Sequence, residues 1–160
     1  MNKTLILARH GKAEKSDVDN FDFKRNLTER GESDVLKVAQ QLSKIITPEL
    51  IVSSPANRAY QTAKIFAKVF DIDKKEIDKI DSIYEASMSA LLHVINNLDN
   101  TKNCILITGH NPAFEYAVEY LTGKFISELP TSGTAIIEFP IDQWKMVSQG
   151  LGDLKILLTT

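Results

Sequence analysis

Three short apolar runs that do not alternate with polar residues, at positions 5–8, 50–52 and 104–108, constrain this chain more than any other feature. A strand with one wet face alternates, so these runs must be covered on both faces, as parallel strands are in an α/β sheet. The segments between them have the helical period. Val35, Val38, Ala39, Leu42, Ile45 and Ile46 share one face behind a candidate N-cap, Thr28, and Pro48 ends that helix. Ser53-Ser54-Pro55 opens a second helix that buries Ala59, Ala63, Phe66, Ala67 and Phe70. Leu91, Leu92, Ile95 and Leu98 mark a third. Phe114, Ala117, Val118 and Leu121 mark a fourth, which Gly123 closes.

Residues 12–24 read as a polar stretch, 71–79 as a charged loop and 80–84 as an edge strand. Beyond Ala135 the helical period disappears, and residues 135–139, 144–149 and 154–159 read as three strands. The predicted fold is therefore α/β: a three-layer αβα sandwich with a mostly parallel central sheet and antiparallel strands near the C-terminus, in one domain spanning 1–160.

Composition removes several classes. A net charge of −2, with Lys and Arg spread along the chain, gives no footprint for nucleic acid. No 18-residue apolar stretch suggests a membrane span, and the single Cys104 sits inside an apolar run, so a cytoplasmic protein is expected. The histidines lack short ligand spacing and the glycines are isolated, so neither a metal site nor a P-loop is expected.

The chemistry gathers at strand ends. In a parallel sheet the loops after the strands meet at one edge, which brings together Arg9 and His10, residues 53–58, and His110. Arginine offers phosphate a permanently charged planar fork of donors, and Arg58 falls in the first turn of its helix, where backbone N–H groups also favour an anion. The histidine left over, His93, lies mid-helix and reads as structural.

Leu7-Ala8-Arg9-His10-Gly11 resembles the Arg-His-Gly signature of the histidine phosphatase superfamily. Arg25-Asn26-Leu27-Thr28-Glu29-Arg30-Gly31 resembles the segment that follows it in SixA-type phosphohistidine phosphatases. Ser53-Ser54-Pro55-Ala56-Asn57-Arg58-Ala59-Tyr60-Gln61-Thr62-Ala63 and Gly109-His110-Asn111-Pro112 are similar to the second arginine and second histidine blocks, in family order.

The resemblance implies a phosphoglycerate mutase-like fold and a metal-independent phosphatase without a cofactor. His10 would be the nucleophile that carries a covalent phosphoryl group, with Arg9, Arg58 and His110 binding that group. The phosphate-facing nitrogen of His10 must be unprotonated, so its other ring N–H is expected on a backbone carbonyl. Glu85 matches the position of an acidic proton donor in many members, and reads either as that donor or as an exposed loop carboxylate. Arg25 reads as a phosphate contact or a solvated loop arginine. The expected substrate is phosphohistidine on a protein, for instance a histidine phosphotransfer domain. The alternatives are a small phosphate ester or, further off, an idle phosphate-binding module.

Overall fold

In the computed structural model, which describes residues 2–17 and 21–160, the apolar runs become the middle of one six-stranded sheet. Strands β1 (Lys3–Arg9), β2 (Leu50–Ser53), β3 (Asp78–Lys79), β4 (Cys104–Gly109), β5 (Thr134–Phe139) and β6 (Asp153–Leu158) lie in the order β3-β2-β4-β1-β5-β6. The first four are mutually parallel; β5 is antiparallel to β1, and β6 to β5. Helices α1 (Glu29–Ser43), α2 (Asn57–Val69), α3 (Met88–Asn96) and α4 (Ala113–Thr122) cover it.

Two cores explain why the runs do not alternate. Leu5, Leu7, Ile105 and Ile107 pack on one face with Leu91, Ile95, Phe114 and Val118, under α3 and α4. Ile6, Ala8 and Leu106 pack on the other with Val35, Leu42 and Phe66, under α1 and α2. Each buried Leu or Ile contributes about 1.5–3 kcal/mol, so a polar residue anywhere in these strands would be costly. The sheet edges are different: β3 is two charged residues long, and β6 exposes Asp153 and Lys155, paired at 2.8 Å, which blunts both edges against further pairing.

Local signals hold at the helix ends. The Gly31 N–H donates to Thr28 Oγ1 at 3.0 Å, and Gly123 takes the left-handed conformation at φ 70°. Helix α1 stops at Ser43, before Pro48, which leaves Ile45 exposed and Ile46 half-buried. Phe70 and Leu98 fall just past the ends of α2 and α3 but still pack against the cores.

Two predicted strands are corrected. Residues 81–84 leave the sheet after the Ile80 N–H makes a last bond to the Ser53 carbonyl, because Ile83 is drawn into the core against α3 and Asp81–Ile83 form a single 3-10 turn. Residues 144–149 do not pair either: Trp144 is wholly buried in a 3-10 turn, its Nε1 donating to the Lys102 carbonyl at 2.9 Å while Asn96 bonds the carbonyls of Trp144 and Val147. In both places one large side chain found more burial under a helix than a strand could give it. Residues 18–20 of the polar stretch lie outside the described residues. Among the described residues no helix is long and apolar enough to cross a membrane.

Candidate active site

The parallel strands end at one edge, and their backbones lock the loops that follow. The N–H of His10, after β1, donates to the Gly109 carbonyl at 3.0 Å, and that of Ser54, after β2, donates to Thr108. His110 directly follows β4, and α2 presents Arg58 from its first turn. Close packing here depends on two glycines. A side chain at Gly109 would strike the Phe114 ring at 2.6 Å, and one at Gly31 would collide with the Lys12 carbonyl, forcing α1 off the loop that carries His10.

His10, His110 and Arg58 are each under 10% exposed, and the two imidazole rings lie 5.3 Å apart, centre to centre. His10 Nδ1 donates to the Gly11 carbonyl at 2.7 Å, as expected from the sequence. Arg58 Nε donates to His10 Nε2 at 3.3 Å. A guanidinium N–H can only donate, so Nε2 carries its lone pair and the proton sits on Nδ1. Burial pushes His10 down to about 4, helped by the charges of Arg58 and Arg9 and opposed by the bond to Gly11. Burial, then His10 and Arg58, push His110 down to about 3. Both rings are neutral at pH 7.

The rest of the Arg58 guanidinium is occupied by Asp22. One terminal nitrogen donates to the Asp22 carbonyl at 2.7 Å and the other to Oδ2 at 3.1 Å. Tyr84 donates its hydroxyl to the same Oδ2 at 2.6 Å, and Arg25 donates to Oδ1 from Nε at 3.1 Å and from a terminal nitrogen at 2.9 Å. Burial opposes ionisation of Asp22, but Tyr84, Arg58 and Arg25 outweigh it and hold the carboxyl at about 2. Burial and Asp22 push the Tyr84 phenol up to about 12. An internal anion thus sits on the arginine fork.

Arg9 donates to the Leu129 carbonyl at 3.0 Å, while its buried Nε has no partner among the described residues. His110 Nε2 meets Ser54 Oγ at 2.8 Å, and its buried Nδ1 has no partner among the described residues. Tyr84 stands edge-on to His110 at 5.6 Å and to Phe23 at 5.1 Å.

The structure therefore brings His10, Arg58 and His110 into one cluster, with Arg9 flanking it and Arg25 joined through Asp22. Glu85 stays exposed in the loop before α3, next to Tyr84, with φ at 54°. His93 is exposed on α3, away from the strand ends. Asp22, Tyr84 and the pairing of Ser54 with His110 escaped the sequence reading. Asp22 lies three residues before Arg25 in a polar stretch with no period, and Tyr84 ends a segment of strand-like composition; the Asp–Arg spacing of three is the one signal the sequence offers. Among the described residues no three His, Cys, Asp or Glu side chains group closely enough to hold a metal ion.

Residues 5–90 match the model of the histidine phosphatase superfamily, branch 1. A chloroplastic protein of Arabidopsis thaliana is 32% identical over 154 residues, covering 91% of this chain and 70% of that one. The SixA structure from Agrobacterium tumefaciens, assigned as a phosphohistidine phosphatase, superposes with a TM-score of 0.83 at 28% identity, covering 99% of this chain and 98% of its own. The protein histidine phosphatase SixA in complex with tungstate gives 0.82 at 20% identity over 98% and 96%, a likeness of fold. With two neutral imidazoles and an arginine fork at the ends of the matching strands, the chain belongs to the histidine phosphatase superfamily.

Proposed function

We propose that this enzyme removes the phosphoryl group from phosphohistidine on a protein, through a covalent phosphohistidine at His10. The observation that carries this reading is the His10 ring, held by Gly11 so that its Nε2 lone pair lies beside Arg58. Nε2 attacks phosphorus, the bond from phosphorus to the leaving nitrogen breaks, and the imidazole departs with that electron pair and takes up a proton. Water then attacks phospho-His10, releasing inorganic phosphate and restoring the neutral ring. Arg58, Arg9 and His110 spread the charge of the three equatorial oxygens, so metal chelation is expected to leave the rate unchanged. For Arg58 to reach those oxygens, the phosphoryl group takes the place of the Asp22 carboxylate.

A substrate borne on another protein is favoured by the 28% likeness to the Agrobacterium SixA protein and by the short chain between Gln61 and Gly109, which leaves little room for a large lid. The exposed Phe21 and Phe23 flank Asp22 at the rim, where a protein would touch. The buried, unpaired Cys104 suits the reducing cytoplasm. A second reading, hydrolysis of small phosphate monoesters, is favoured by Glu85, an exposed carboxyl beside Tyr84 from which an alkoxide leaving group could take its proton.

The test compares turnover of a phosphorylated histidine phosphotransfer domain with that of a panel of monoesters. Preference for the phosphoprotein is expected, with Glu85→Gln sparing it; activity confined to monoesters, and lost in Glu85→Gln, would establish the second reading instead.

A further inference from the structure

The side chain opposite the nucleophile is held by a serine that no step of the mechanism has used. Ser54 Oγ is wholly buried and accepts from the Ala56 N–H at 3.3 Å while touching His110 Nε2 at 2.8 Å. Its backbone is fixed on both sides: the N–H donates to the Thr108 carbonyl, and its own carbonyl accepts from Ser53 Oγ at 2.7 Å. A serine hydroxyl has one proton to give. Were His110 to carry its proton on Nε2, Ser54 Oγ would receive two donors and its own proton would be left without an acceptor in a dry site, a state buried hydroxyls avoid.

We infer that Ser54 donates to His110 Nε2 and so fixes His110 as the neutral tautomer protonated on Nδ1, whose unpartnered N–H is the donor that meets the phosphoryl group. Ser54 is thus a positioning residue for the phosphate-binding imidazole. Its effect mirrors that of the Gly11 carbonyl on His10: Gly11 leaves His10 a lone pair at Nε2, and Ser54 leaves His110 a proton at Nδ1. The two rings face one anion with opposite hydrogen-bonding character, one as nucleophile and one as donor. Two further features agree. His110 Nδ1 and Arg9 Nε are both buried nitrogens without partners among the described residues, as groups reserved for a ligand would be, and burial beside His10 and Arg58 keeps the His110 ring from taking a second proton at neutral pH. The last step, a hydrogen bond from Nδ1–H to a phosphoryl oxygen, rests on the function proposed above; the tautomer itself does not.

Long-range proton–nitrogen correlation spectra of the full chain labelled with nitrogen-15 histidine read the tautomer directly. At pH 7 and without ligand, His110 is expected protonated on Nδ1; protonation on Nε2 would overturn the inference. In Ser54→Ala the ring is expected to move toward the Nε2–H form, and kcat on whichever phosphoryl substrate is turned over is expected to fall at least about tenfold with KM little changed. Retention of Nδ1–H in that variant would remove Ser54 from the role. Addition of inorganic phosphate is expected to shift the Nδ1 resonances of His110, and a His110 signal that stays put while His10 responds would show that Nδ1 does not meet the anion. A wild-type protein that turns over no phosphoryl substrate, yet gives the expected spectra, would defeat the proposed function and leave the tautomer standing.

Discussion

For single residues, burial decides which protons are present. An exposed imidazole would be partly charged at pH 6.5, whereas the buried His10, beside Arg58 and Arg9, keeps its lone pair down to about pH 4. A histidine NMR titration of the phosphate-free protein should therefore find His10 half-protonated well below 6.5, and a midpoint near 6.5 would show that water reaches the ring. Asp22 makes a second residue-scale case. Its carboxylate takes one arm of the Arg58 fork that a phosphoryl group would need, its backbone carbonyl taking the other, so two anions compete for one cation. Asp22→Ala removes a repulsion of about 1 kcal/mol, and inorganic phosphate is expected to bind about fivefold tighter. Unchanged or weaker binding, measured by calorimetry, would mean that Asp22 holds Arg58 in place rather than blocking it.

Among the elements, periodicity was a good guide wherever an element buries a whole face, and a poor one wherever a single side chain decides. Residues 5–8 and 104–108 form strands as read, because both faces are covered. Residues 80–84 and 144–149 have strand-like composition, yet Ile83 and Trp144 pull them into 3-10 turns against the core. No local pattern encodes such a contact: Ile83 enters a core assembled with Phe114 and Val118, and Trp144 bonds the Lys102 carbonyl, all distant in sequence. Glycine contacts belong to the same class. On helix propensity alone, Gly31→Ala in the first turn of α1 would add up to about 1 kcal/mol of stability. The Lys12 carbonyl occupies the space that the new methyl needs, so a loss of about 2 kcal/mol is expected instead in urea unfolding. A gain would show that α1 can shift away at no cost.

Across the whole molecule, the site exists only because three segments, remote in sequence, finish at the same sheet edge. That convergence was legible from the parallel topology, which is why Arg9, His10, Arg58 and His110 could be named without coordinates. The internal anion at Asp22 and the serine behind His110 were not, because hydrogen-bond partners depend on side-chain directions that the topology does not set. Burying two neutral histidines also links global stability to pH. The unfolded chain takes up protons near 6.5, which the folded His10 and His110 refuse until about 4 and 3. Their contribution is complete above about pH 6.5 and is lost progressively as pH falls toward 3, while Asp22 adds its own loss below its ordinary value near 3.8. The urea midpoint should therefore drop between pH 7 and pH 5, and less so in the double variant His10→Gln, His110→Gln; equal slopes in the two proteins would show that other groups control it. The central claim, a phosphoryl group carried by His10, is tested most directly by stopping the reaction in alkali within the first turnover and mapping the modified peptide. Phosphate on the His10 imidazole is the expected result. Release of inorganic phosphate in that turnover with no phosphoryl group on His10, and with undiminished turnover by His10→Ala, would contradict it.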